Sequence, residues 1–255
     1  DTLSLHDALP ISAVQAQRLT APAIGALVAD QVKSLSTAAL NALDITAVDA
    51  TGIAALDGSK LSKLSTEQLR RLTNDQVKAF TEAQVPSLTT AQVAALRTEQ
   101  LTAMDNADLK AFSVNQIAAL TSAQIAGLST RISNAEKLTQ LTNAQLGALN
   151  SAQAKSLTTN AIQDLLGDQI AALSTSALNA IQIRAVDAAD ITGIANGKLA
   201  ALSTDQIRLL TGSQISALSE SQVPALTTTQ VAALTPGQLN GMDAPDLKAL
   251  TVNQM

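Results

Sequence analysis

A leucine, or a residue standing in for one, returns every eighth position along most of this chain, and that interval limits what the chain can fold into. Leu64, Leu72, Phe80, Leu88, Leu96, Met104, Phe112, Leu120 and Leu128 form the longest unbroken run. Each heads an octad that reads Leu-(Ser/Thr)-x-x-Gln-(Val/Ile/Leu)-x-Ala, and such octads fill residues 19–43, 64–128, 141–181 and 202–255. In one continuous helix, eight residues at about 100° each turn the chain by about 800°, which overshoots two turns by about 80°. The leucine stripe would then wander round the helix and face every direction. Coiled coils avoid this with periods near 3.5 or 3.67 residues per turn, and 4.0 lies outside that range. The chain must therefore break and reset its direction once per octad.

The octad carries its own reset signal. Ser or Thr at position 2 with Gln at position 5 is a capping box, as in Thr73 with Gln76 and Thr89 with Gln92. The hydroxyl accepts from the third amide of the helix and the Gln side chain reaches back to the cap amide. Leu at position 1 and Val, Ile or Leu at position 6 then form a hydrophobic staple. Leu64, Leu72, Leu88, Leu96 and Leu120 are the structural residues this reading singles out. Pro236, Pro22 and Pro245 fall at the first or second helical position, where no intrahelical donor is lost. Pro86 and Pro224 sit at position 7 and disfavour helix at Val85 and Val223, so helix there is expected to last barely one turn. Helices of about five or six residues are unstable alone and must stack. The expected fold is all-α, a solenoid of very short helices with about one per octad. The rival is a β-solenoid, which Ala, Gln and Leu disfavour as poor strand formers.

A longer period lies above the octad. Residues 61–117 and 199–255 share 33 of 57 positions at an offset of 138, with Pro86/Pro224, Met104/Met242 and Asn115/Asn253 in register. Three segments interrupt the octads: 44–63, 129–140 and 182–201. The first and last are equivalent and hold turn signals at Gly52, Asp57-Gly58, Gly193 and Asn196-Gly197. The middle one contains another capping box, Ser133-Asn134-Ala135-Glu136. Asp49, Asp57, Asp187 and Asp190 are the candidate metal ligands. Calcium needs several oxygens converging at alternating spacing. The spacing here does not match, and Asn196 stands where the first copy has Asp57, so turn and cap chemistry is the preferred reading.

Composition removes several function classes. The chain has no Cys, Trp or Tyr, and its only histidine is His6. Disulfides, thiolate metal sites and Cys-His catalysis are excluded, and no Walker loop or dinucleotide fingerprint is present. Without His6 no Ser-His-Asp triad can form. Carboxylates such as Glu67 and Asp75 occupy positions 3 and 4 of octads, where they favour the helix dipole. The net charge is −5, with only 15% of residues charged and no run of like charge. Nucleic-acid binding through phosphates needs clustered Lys and Arg and is not expected. No apolar run approaches the ~18 residues of a membrane span. No enzyme activity and no cofactor are expected.

Residues 2–11, TLSLHDALPI, resemble the one-frame translation of a common short-read sequencing adapter. Residues 1–12 are accordingly set aside as non-native, which leaves residues 13–255 as a single repeat array. The natural chain would then lack histidine, and the sequence reads as an internal, metagenomic fragment of a longer frame. The octads resemble the uncharacterised LTxxQ-type repeat arrays of long surface or secreted proteobacterial proteins. That resemblance implies an extracellular or cell-surface, adhesin-like structural scaffold. A module that binds protein or glycan through the solenoid surface is the alternative. Leu234-Thr235-Pro236-Gly237-Gln238-Leu239 is also similar to the opening of a TAL-effector repeat. The period of eight, the acidic balance and the missing variable pair leave DNA binding as a less favoured reading.

Overall fold

In the computed structural model, residues 11–130 and 137–255 are described. Among them lie 25 α-helices of four to seven residues and five three-residue 3₁₀ turns, with no strand. The fold is an all-α solenoid, and the β-solenoid alternative falls. Residues 1–10 and the capping box at 133–136 lie outside the described residues. The chain forms two compact units, Asp1–Leu120 and Thr121–Met255.

Most octads start a helix as their letters dictate. Ser or Thr at position 2 is extended, and its hydroxyl accepts from the amide of position 5, as at Thr73, Thr89, Ser113, Thr121, Thr142, Thr211, Thr227 and Thr235. The helix then runs about one and a half turns and stops at the next leading residue, which returns to extended backbone; Leu96 has φ −58° and ψ 144°. Leu64, Leu72, Leu88, Leu96 and Leu120 are at most 4% exposed, and the position-6 residues Val93, Leu101 and Ile117 are fully buried. Burying each such side chain contributes roughly 1.5–3 kcal/mol, which one short helix cannot supply for itself.

The stacking partners show how the coil closes. In the first unit Thr66–Arg71 packs on Thr90–Ala95, which packs on Val114–Ala119, and Asn74–Lys78 packs on Thr98–Ala103. In the second, Ser151–Lys155 packs on Thr175–Leu178, and Gly212–Ser216 on Pro236–Leu239. In every one of these pairs the later helix begins three octads after the earlier one, so three octads make one regular coil.

The interruptions at 44–63 and 182–201 break the lettering but not the coil. Residues 44–63 fold as a 3₁₀ turn Ile45–Ala47 and two short helices, Ala50–Ala54 and Gly58–Leu61. Val48 and Leu56 take the leading places, 3% and 2% exposed. The leading positions therefore run 43, 48, 56, 64: one octad has shrunk to a pentad. The second copy repeats this with Ile183–Ala185, Ala188–Ile191 and Asn196–Ala200, and with Val186 and Ile194 leading. A coil that contains a pentad is built of one pentad and two octads, and so is shorter than a regular one. In segment 129–140 the described part includes a third such 3₁₀ turn, Leu138–Gln140, directly before Leu141. The proline octads behave as expected from their sequence: Val85–Ser87 and Val223–Ala225 are 3₁₀ turns.

Candidate functional site

Position 5 is where each octad touches the coil before it. Gln92 shows the full arrangement. Its Oε1 accepts from the Thr89 amide at 2.8 Å, closing the capping box. Its Nε2 donates to the carbonyls of Leu61 and Leu64, at 2.9 and 2.8 Å. Those carbonyls lie 31 and 28 residues earlier, one coil away. The side chain is 2% exposed, and both of its polar atoms are used. Gln76 bonds Ile45 and Val48 in the same way, Gln100 bonds Leu69 and Leu72, and Gln116 bonds Val85 and Leu88. In the second unit Gln214, Gln222, Gln230 and Gln238 repeat the 31/28 pattern. Each bond adds about 1 kcal/mol net, and leaving such buried groups unpaired costs more than the bond itself contributes.

The cap residue is dispensable to this ladder. Arg97 stands at a position 2, yet its amide still donates to Gln100 Oε1 at 2.7 Å. Its guanidinium reaches back to the carbonyls of Arg70 and Leu72, reinforcing the same seam.

The shortened coils change the reach. Gln68 donates to Asn41 and Leu43 at 2.7 and 3.1 Å, and its buried Oε1 has no partner. The Ser65 amide turns instead to Asn41 Oδ1 at 2.7 Å, while Asn41 Nδ2 donates to Thr37 and Lys63. Gln206, Asn179 and Ser203 reproduce every part of this in the second copy, including the unpartnered Oε1 of Gln206. Lysine takes position 5 one octad earlier: Lys198 Nζ donates to Ala171 and Leu173, and Lys60 Nζ to Lys33.

Aspartate takes position 5 in three octads, at Asp108, Asp246 and, behind Val186, Asp190. Asp108 and Asp246 are 2% and 4% exposed, so these carboxyls sit inside rather than on the variable outer positions. Asp108 Oδ2 has no partner, and its amide donates to Asp105 Oδ1 at 2.9 Å. Burial, followed by the charge of Asp105, pushes the Asp108 carboxyl up to about 6. Burial likewise raises Asp246, opposed by the Asp243 amide, which donates to Asp246 Oδ2 at 3.3 Å.

The four candidate metal ligands are placed as helix caps or within a first turn. Asp49 precedes Ala50–Ala54 and accepts from the Thr51 hydroxyl at 2.7 Å. Asp57 caps Gly58–Leu61, accepting from the Ser59 hydroxyl and the Lys60 amide, and these bonds hold its carboxyl below the usual range. Asp187 precedes Ala188–Ile191, and Asp190 lies in that turn, raised by burial and by Asp187. Among the described residues no three His, Cys, Asp or Glu side chains come together as a metal would need. No described helix is long and apolar enough to cross a membrane.

The family model of the ALTTAQ repeat matches residues 53–90, 101–131 and 191–228. The chain is a repeat protein. The first and third matches cover equivalent stretches of the two long repeats, and each runs through part of a segment that lacks the octad lettering, in agreement with helices that continue there. Comparison with curated proteins finds no match. Among solved structures, similarity extends to the leucine-rich repeat-containing protein LegL7 from Legionella pneumophila. The identity is 14% over 86% of each chain, with a TM-score of 0.23. The coil geometry above rests on this chain's own hydrogen bonds and not on that distant likeness.

Proposed function

We propose that the chain is a non-enzymatic structural scaffold from a large surface-exposed or secreted bacterial protein of the adhesin-like LTxxQ-repeat kind. The observation that supports it is the fate of the recurrent polar groups. The glutamines most regularly kept are buried and bonded to carbonyls of the preceding coil, so they serve cohesion and not a ligand. A scaffold assembled coil by coil can be lengthened by duplicating whole coils, and its stability grows with each interface added. What remains outside at positions 3 and 4 varies from octad to octad, from Thr90 and Ala91 to Glu67 and Asp75, with no shared chemistry from coil to coil.

The experiment is to express the complete frame in a bacterial host and probe intact cells with an antibody raised against residues 137–255. Labelling of intact cells, or recovery of the protein from the medium, is the expected result. Antigen released only by lysis would contradict the surface assignment. A glycan and peptide array with the same chain tests the alternative binding role, for which a saturable, composition-specific signal is required.

A further inference from the structure

We propose that the octads headed by Met104 and Met242 are proton-controlled joints in the ladder: the carboxyl pair Asp105–Asp108, and its repeat Asp243–Asp246, must hold a proton for the coil to close fully.

The geometry that carries this is a substitution at a fixed place. On either side of Asp108 along the chain, Gln100 and Gln116 donate to carbonyls 31 and 28 residues back. The same 31 and 28 offsets from Asp108 fall on the carbonyls of Val77 and Phe80. A glutamine amide brings two N–H donors to that seam. An ionised aspartate brings none and sets acceptor against acceptor, whereas a protonated one has a single O–H to give. The side chain is buried and Oδ2 has no partner, so water does not supply the missing donor at the surface.

The charged groups acting on Asp108 add to the demand. Asp105 stands at the cap of its own helix, close enough for its carboxyl to share a hydrogen bond with that of Asp108. Glu82 comes from the proline octad, whose turn Val85–Ser87 packs against Asn106–Ala111. Both are acidic, and two carboxylates sharing a site raise the affinity for one proton. The same three groups recur as Asp246, Asp243 and Glu220.

The direction of the effect follows. The folded Asp108 carboxyl keeps its proton up to about pH 6, against 3.8 for the ordinary group. Its contribution to stability is complete below the ordinary value and is lost as pH rises through about 6. A shift of this size corresponds to about a 100-fold change in the closing equilibrium of that joint. Other carboxylates titrate in the same range, so the test is a comparison with neutral variants. Asp108→Asn with Asp246→Asn is nearly isosteric and keeps an N–H donor at every pH.

Urea unfolding of the full chain is measured at pH 4.5, 6.0 and 7.5, alongside a ¹³C-carboxyl NMR titration of the unsubstituted chain. The expected result is that the unsubstituted chain loses stability relative to the double variant between pH 4.5 and 7.5, and that Asp108 titrates above pH 5. Parallel pH profiles, or an Asp108 inflection below pH 4.5, would overturn the proposal. So would selective recovery of the unsubstituted chain at pH 7.5 on adding millimolar calcium, because the seam would then be filled by a cation and not a proton.

Discussion

The coil closed by Gln92 and the coil closed by Gln68 use the same residue in the same octad position, yet they are not equally satisfied. In the regular coil the glutamine spans two tasks, with Oε1 on its own cap amide and Nε2 on two carbonyls of the coil before. In the shortened coil it manages only the second, and its Oε1 is left buried without a partner. Shrinking one octad to a pentad moves the target carbonyls from sequence separations of 31 and 28 to 28 and 25, those of Leu40 and Leu43, with Asn41 between them at 27. Asn41, absent from the regular octad consensus, takes over the cap. The comparison shows that the glutamine is tuned to a coil length, and that a pentad is tolerated only where a second amide side chain covers the difference. Asn179 doing the same for Gln206 makes this a rule of the fold and not an accident of one site.

The comparison can be broken most forcefully at Gln92. Gln92→Leu removes three hydrogen bonds and strands a cap amide and two carbonyls, at a cost of roughly 2–4 kcal/mol in urea unfolding of the full chain. Gln68→Leu should cost less, about 1–2 kcal/mol, because Ser65 keeps its amide bond to Asn41 and an unpaired buried oxygen is removed. Equal losses at the two positions would contradict the coil-length account. Asn41→Ala sharpens the contrast, since it frees the Ser65 amide and the Lys63 carbonyl. A loss of about 1 kcal/mol is expected, with faster exchange of the Ser65 amide as its local signature. The smallest effect belongs to Arg71→Ala. The Arg71–Asp44 pair at 2.7 Å joins a pentad to the coil above it, but its side chains are 45% and 42% exposed. Its removal should change stability by less than about 0.5 kcal/mol and respond to salt.

The local half of this fold is readable from the residues, and the global half is not. Ser or Thr followed three residues later by Gln states where each helix begins, and Pro86 states where one fails to form. The number of octads per coil is absent from that grammar, because a period of eight is compatible with closure after any count of turns. The pentads escape notice for a related reason. Val48 and Leu56 are followed by Asp where most octads have Ser or Thr, and their position-5 residues are Gly52 and Lys60 in place of Gln. The apolar spacing of 5, 8 and 8 is present in the letters, but only burial of Val48, Leu56, Val186 and Ile194 makes it visible. The second role of the glutamines is hidden because the capping box accounts for them completely within one octad. Asp108 and Asp246 are concealed by their company: most acidic residues elsewhere in the octads sit at exposed positions, and only register places these two inside.

The central claim is that position-5 glutamines join each coil to the coil before it. The most direct measurement is side-chain amide NMR on the chain with glutamine selectively labelled. The account predicts that the Gln92 amide protons show contacts to Leu61 and Leu64, protection from solvent exchange, and through-hydrogen-bond couplings to those two carbonyls. Gln92 amide contacts confined to its own octad, or to the one or two octads directly before it, together with rapid exchange, would contradict it.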